Sequence, residues 1–148
     1  MELSGLTNAT RHNPEYFPEL ELAAAVTATA AAAPAAQAAE FVFLTVPSQT
    51  LRGNLAEWAP LLRGDAVLVS LMKGVELGTA KRMSEVIEEV AKTGPDRVAV
   101  LSGPNLAPEI AERQPAASVV ACRDDAVARR IQAACHTAYF RPYTNTDV

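Results

Sequence analysis

Three short motifs hold the residues whose types and spacing could do chemistry: Pro47-Ser48, Lys73-Gly74, and Ser102-Gly103-Pro104-Asn105 running on to Ala107 and Glu109. Each follows an apolar run that reads as a strand, so each sits where a sheet would end. In open parallel sheets, ligands collect beyond the carboxyl ends of the strands. Lys73 supplies a cation at such an end, and Gly74 beside it allows a tight, unusual turn and keeps its surroundings uncrowded. Pro47-Ser48 and the residues after Asn105 open helices, whose first N–H groups can hold an anion. Small residues for close approach, helix N-termini and one cation suit a phosphorylated or otherwise anionic ligand lying beside a nucleotide.

The elements that must position these motifs are legible at different strengths. Phe41 to Val46 (FVFLTV) is the clearest strand, rich in aromatic and β-branched residues. Residues 66–70 form a continuous apolar run, the pattern of a parallel strand covered on both faces. Residues 97–101 are the third strong strand, and these three are expected to be adjacent, parallel and central. Residues 117–121 and 139–143 read as further strands, and 20–28 as a weak one. Helices are expected near 49–59, where Leu51, Leu55, Trp58 and Leu62 share a face, near 81–92, from Asn105, and over 124–134. Ser48 and Asp124 are placed as N-caps. Residues 23–39 contain 12 alanines in 17 positions, with a short helix expected at 35–39. Strands alternating with helices at this interval predict a doubly wound α/β sheet, mainly parallel, with flanking helices.

Composition narrows the function classes. The 148 residues are 49% hydrophobic and 20% charged, with a net charge of -4 and no basic block, which speaks against nucleic acid as a partner. No apolar run approaches the roughly 20 residues that span a bilayer, and the N-terminus lacks a secretory pattern, so the expected location is cytoplasmic. Two cysteines, Cys122 and Cys135, make no disulfide framework, and no His or Cys group has metal spacing. Cys135 shares an apolar helical face with Val127 and Ile131 and reads as a core thiol. Tyr16 and Phe17, between Pro14 and Pro18, read as packing aromatics. His12 and His136 lie beside no strand end.

With these motifs in order, the chain resembles the bacterial NAD(P)-dependent glycerol-3-phosphate dehydrogenases. The resemblance is carried by NPEYFPEL (13–20), FVFLTVPSQTLR (41–52), VLVSLMKGVE (67–76), VAVLSGPNLAPEIA (98–111), PAASVVAC (115–122) and YFRPYTNTDV (139–148). It implies a Rossmann-type domain, followed in the family by a helical one. The implied activity is interconversion of dihydroxyacetone phosphate and sn-glycerol 3-phosphate with NAD(P)H, for glycerophospholipid synthesis. By the same resemblance, Lys73 contacts both nicotinamide nucleotide and substrate. Gly103 and Asn105 line the substrate site, Ala107 touches the cofactor, and Pro47-Ser48 border the dinucleotide. Many relatives carry Ser or Thr at the position of Asn105.

Two departures shape the expectation. The family opens with a strand and a glycine-rich turn that holds the pyrophosphate, yet no G-x-G-x-x-G occurs among glycines 5, 53, 64, 74, 78, 94 and 103. The family also continues past TN-x-D into the helical domain that brings the acid/base lysine. Residues 1–148 therefore read as a partial dinucleotide-binding domain without the helical substrate domain or a catalytic residue of its own, weak or inactive in isolation. A different class stays open beside this one: a non-catalytic nucleotide-binding or subunit-interaction module, its exposed sheet edge covered by a partner chain or, in a homo-oligomer, by a second copy.

Overall fold

The computed structural model describes residues 3–148. Five strands, β1 (Phe41–Leu44), β2 (Val67–Ser70), β3 (Val98–Ser102), β4 (Ala116–Cys122) and β5 (Phe140–Asn145), form one sheet in sequence order. β1, β2 and β3 run parallel, β4 is antiparallel to β3, and β5 is parallel to β4. Helices α3 (Leu51–Trp58) and α4 (Met83–Ala91) connect the first three strands, and α6 (Asp125–Cys135) connects the last two. Helices α1 (Leu3–Thr10), α2 (Ala32–Ala38) and the short α5 (Ala107–Ala111) complete the chain.

The continuous apolar run of β2 has its explanation in the packing: all four of its residues are buried. Leu68 and Val98 point to one face, where Leu51 and Leu55 of α3 and Val86 and Ile87 of α4 cover them. Val67, Val69, Ala99 and Leu101 point to the other, against Val127, Ala128 and Ile131 of α6. A strand sandwiched this way has no solvent face on which alternation could appear. Fully burying one such aliphatic side chain contributes about 1.5–3 kcal/mol, so the two layers fix the level at which β2 and β3 end. Cys122 and Cys135 belong to the α6 layer, and burial pushes both thiols up from their ordinary value.

Several boundaries differ from the sequence reading. β1 is an edge strand of the described sheet rather than a central one. Residues 20–28 form no strand. Their backbone is held by side chains instead: Arg11 donates to the carbonyls of Leu22 and Val26, and Asn8 makes a reciprocal pair with Ala28. Those bonds satisfy carbonyls that a ladder would otherwise pair. Ser48 caps no helix through its side chain; a 3-10 turn over 48–50 precedes α3. The helix read from Asn105 starts at Ala107, with Leu106 in extended conformation before it, because the Asn105 side chain is engaged elsewhere. α4 begins at Met83, where the Glu85 carboxylate accepts from the Arg82 backbone N–H at 2.8 Å. Asp124 caps α6 as expected, accepting from the N–H groups of Ala126 and Val127.

Candidate functional site

Because β1, β2 and β3 are parallel neighbours, their carboxyl ends share one rim. Pro47-Ser48 lies beyond β1, Lys73-Gly74 beyond β2, and Gly103 immediately beyond β3. β4 runs the other way, so it enters the sheet at this same rim, with Ser102 opposite Val119. Ala117 and Ser118, near its start, form a floor under the β3 turn.

Lys73 is exposed, and its Nζ donates to the Gly103 carbonyl at 2.8 Å. That bond uses one of three ammonium donors and leaves the charge at the rim. Gly74 beside it has φ of 113°, a conformation other residues resist, and a Cβ there would come to 3.8 Å from Ser48 Oγ. The turn after β1 and the turn after β2 are therefore in van der Waals reach.

Gly103 owes its identity to crowding. A Cβ at this position would stand 2.8 Å from the Ala117 carbonyl oxygen and 3.0 Å from both Cα and Oγ of Ser118. Only a residue without a side chain lets the β3 turn lie flat on β4. Asn105 ties down the far side of the same turn: its Nδ2 donates to Ala117 O at 3.0 Å and to Ser118 Oγ at 2.5 Å. With its amide nitrogen so used, the Asn105 carbonyl oxygen accepts no hydrogen bond among the described residues. Ala107 is exposed as the first residue of α5.

The loop from 71 to 82 that carries Lys73 is strapped to α3. Gln49 donates from its amide nitrogen to Val75 O at 2.8 Å, and its amide oxygen accepts from Leu77 N–H at 2.9 Å. Arg52 forms a two-pronged pair with Glu76, at 2.8 and 3.0 Å, and reaches Glu89 of α4 at 3.0 Å. Thr79 donates to the same Glu76 carboxylate at 2.6 Å, and Lys81 pairs with Glu89. The Arg52 fork, the largest influence, and the Thr79 hydroxyl hold the Glu76 carboxyl down to about 2, while the two carboxylates raise the Arg52 guanidinium. The sequence reading missed Gln49, Arg52, Glu76 and Ser118. Arg52 and Glu76 lie inside stretches it quoted, but nothing in their spacing announces a pair 24 residues apart.

Beneath the loop, a cavity of about 150 Å³ is lined by Ser70, Met72, Gly74, Arg82 and Ser84. The Ser70 hydroxyl is fully buried and without a hydrogen-bond partner. On the other side of the rim, the loop read from the prolines lies against α5. Tyr16 is largely exposed there and Phe17 is half-buried, and both line a groove of about 320 Å³ with Pro108 and Ala111. Of the aromatic pair, Phe17 carries the packing role and Tyr16 does not. His136 is exposed at the end of α6, and His12 is half-buried in the loop after α1; neither stands at the rim. Among the described residues there is no cluster of three His, Cys, Asp or Glu that could hold a metal, and no helix long and apolar enough to cross a membrane.

Comparison with known proteins places the chain in a family. The family described as NAD-dependent glycerol-3-phosphate dehydrogenase N-terminus matches residues 2–128. Glycerol-3-phosphate dehydrogenase [NAD(P)+] of Streptomyces avermitilis is 68% identical over 147 residues, and that of Streptomyces griseus is 66% identical. Each alignment covers 99% of this chain and 44% of the relative, so the chain spans less than half the length of these proteins. Among solved structures, glycerol-3-phosphate dehydrogenase from Coxiella burnetii superposes with a TM-score of 0.90 at 23% identity, over 99% of this chain and 44% of that one. The Plasmodium falciparum enzyme superposes at 0.89 and 22% identity, over 97% of this chain and 40% of that one. At such identities the superpositions establish the sheet and its flanking helices, a Rossmann-type arrangement. With the family matched across most of its length, the chain belongs to the NAD-dependent glycerol-3-phosphate dehydrogenases and corresponds to their N-terminal region.

Proposed function

We propose that this chain is part of the dinucleotide-binding domain of an enzyme that interconverts dihydroxyacetone phosphate and sn-glycerol 3-phosphate with NAD(P)H. The observation that carries the reading is the direct bond from Lys73 to Gly103, which joins two of the three rim motifs into one site. The nicotinamide would supply or accept the hydride. The rim residues bind and orient: Lys73 meets both the nicotinamide nucleotide and the anionic substrate, and Gly103 and Asn105 line the substrate side. Ala107 borders the cofactor at the head of α5, and Pro47-Ser48 border it beyond β1.

The residues present fit such a pair of ligands. Lys73 is exposed and keeps ammonium donors beyond its bond to Gly103, the Asn105 side-chain carbonyl has no donor among the described residues, and Gly103 keeps the rim low enough for close approach. Among the described residues, the rim does not hold a second acid/base group within reach of a carbonyl oxygen. General acid–base catalysis is typically worth about 10²–10⁴-fold, so the 148 residues alone are expected to turn over weakly or not at all. The helical domain of the family and its lysine are the proposed source of that group.

A cofactor-oxidation assay with dihydroxyacetone phosphate tests this. The 148-residue chain should show little turnover. A chimaera that adds the remaining segments of the Streptomyces avermitilis relative should turn over, and should lose most of that activity with Lys73→Ala. A fully active chimaera carrying Lys73→Ala would overturn the reading.

A further inference from the structure

We infer that Gln49 and Arg52 are positioning residues for Lys73: they strap the loop after β2 to α3 and so hold the ammonium against the Gly103 carbonyl. The functional weight of this inference rests on Lys73 being the ligand-contacting cation, but the strap itself is a matter of geometry.

Lys73 lies in a twelve-residue connection, 71–82, between β2 and α4. Its entry is fixed, since Leu71 N–H donates to Leu44 O at 3.1 Å and extends the β1–β2 ladder. Its exit is fixed by the Glu85 carboxylate on the Arg82 N–H. In between, the chain is exposed at 73–75 and 77–80, and Gly74 and Gly78 both have positive φ, at 113° and 86°. Two such glycines add backbone freedom to a solvent-exposed stretch, which would by itself let an exposed lysine sample many positions.

The strap removes that freedom at three consecutive residues. Gln49 presents its amide like a short piece of strand edge, donating to residue 75 and accepting from residue 77. Glu76, between them, is caught by the Arg52 fork; its side chain is only 13% exposed. A planar guanidinium on a carboxylate fixes orientation as well as distance, which a lysine in the same place cannot do. Glu76 also closes the loop on itself: its N–H donates to Lys81 O at 2.8 Å and its carbonyl accepts from Ala80 N–H at 2.9 Å. The strap begins two residues after Lys73, so its release is felt first at Lys73-Gly74. Both strap residues come from the 3-10 turn and the first turn of α3, directly after Pro47-Ser48. The segment that opens one rim motif therefore sets the position of another.

The chain has three lysines, 73, 81 and 92, so ¹³C-lysine labelling gives a spectrum simple enough to follow Lys73 alone, assigned with Lys73→Arg. The experiment compares the parent chain with Gln49→Ala, Arg52→Ala and Arg52→Lys. It reads the order of the Lys73 ε-methylene and the amide exchange of residues 74–77 and of Val69 and Ala99. In the parent, the Lys73 ε-methylene protons should be inequivalent and motionally restricted. In Gln49→Ala and Arg52→Ala they should collapse towards a free lysine signal, and exchange at 74–77 should rise by about tenfold or more with Val69 and Ala99 unchanged. Arg52→Lys should restore only a small part, because charge without the fork does not fix the carboxylate. A Lys73 signal unmoved in both alanine variants would overturn the inference. Exchange rising equally at 74–77, Val69 and Ala99 would overturn it too, since that is loss of global stability. None of these readouts involves dinucleotide or substrate, so they stand apart from the oxidation assay.

Discussion

Lys73 and Gly103, 30 residues apart in sequence, meet through a 2.8 Å hydrogen bond from ammonium to backbone carbonyl. The bond needs two strands to end at one level and a residue at 103 small enough to lie on β4. Both conditions come from the packed core, and both can be broken separately.

Replacing the lysine tests the chemistry. In the chimaera with the Streptomyces avermitilis segments, Lys73→Ala should remove most of the turnover. Lys73→Arg should rescue poorly, since a broad planar guanidinium cannot occupy the place of a compact ammonium on one carbonyl. Steady-state cofactor oxidation measures both.

Replacing the glycine tests the fit. Gly103→Ala puts a methyl group 2.8 Å from a backbone oxygen of β4, which must shift for it to be accommodated. Overpacking of this kind costs about 1–3 kcal/mol. A urea titration should show a lower midpoint with an unchanged slope.

The Arg52–Glu76 pair sets a pH dependence. The folded Glu76 carboxyl is held down to about 2, below an unfolded value of about 4.3. A depressed folded value means the stabilisation is fully present above the unfolded value and is lost as pH falls through the folded one. Exchange protection at 74–77 should therefore persist at pH 4 and fade towards pH 2. In Arg52→Ala the Glu76 carboxyl ¹³C titration should move up towards an ordinary glutamate.

The helix cap on the opposite layer provides a control remote from the rim. Asp124 accepts from the N–H groups of Ala126 and Val127, and Asp124→Ala should cost about 1 kcal/mol. Denaturant unfolding should register that loss while the Lys73 ε-methylene signal stays as it is in the parent.

The sequence by itself determined the parts that depend on local pattern. VLVS and VAVL are apolar in runs because those strands are covered on both faces, FVFLTV is apolar although Phe43 of that edge strand is exposed, and Leu51, Leu55, Val86 and Ile87 recur at helical spacing because α3 and α4 each bury one stripe. From these alone come the α/β class, the parallel trio and the placing of Lys73 and Gly103 at strand ends. The tertiary structure alone decided what depends on contacts between distant segments. It put β1 at an edge, because pairing partners are not written in a strand's own composition. It gave residues 20–28 to the side chains of Arg11 and Asn8, because bonds from side chains 11 to 20 residues away are not written in a weak strand pattern. It turned Ser48 from a cap into a neighbour of Gly74, and Asn105 from a helix start into a tie to Ser118. It also joined Gln49 and Arg52 to the lysine loop. Periodicity reports which face of an element is buried, whereas a hydrogen bond between polar side chains leaves no period in either segment that makes it.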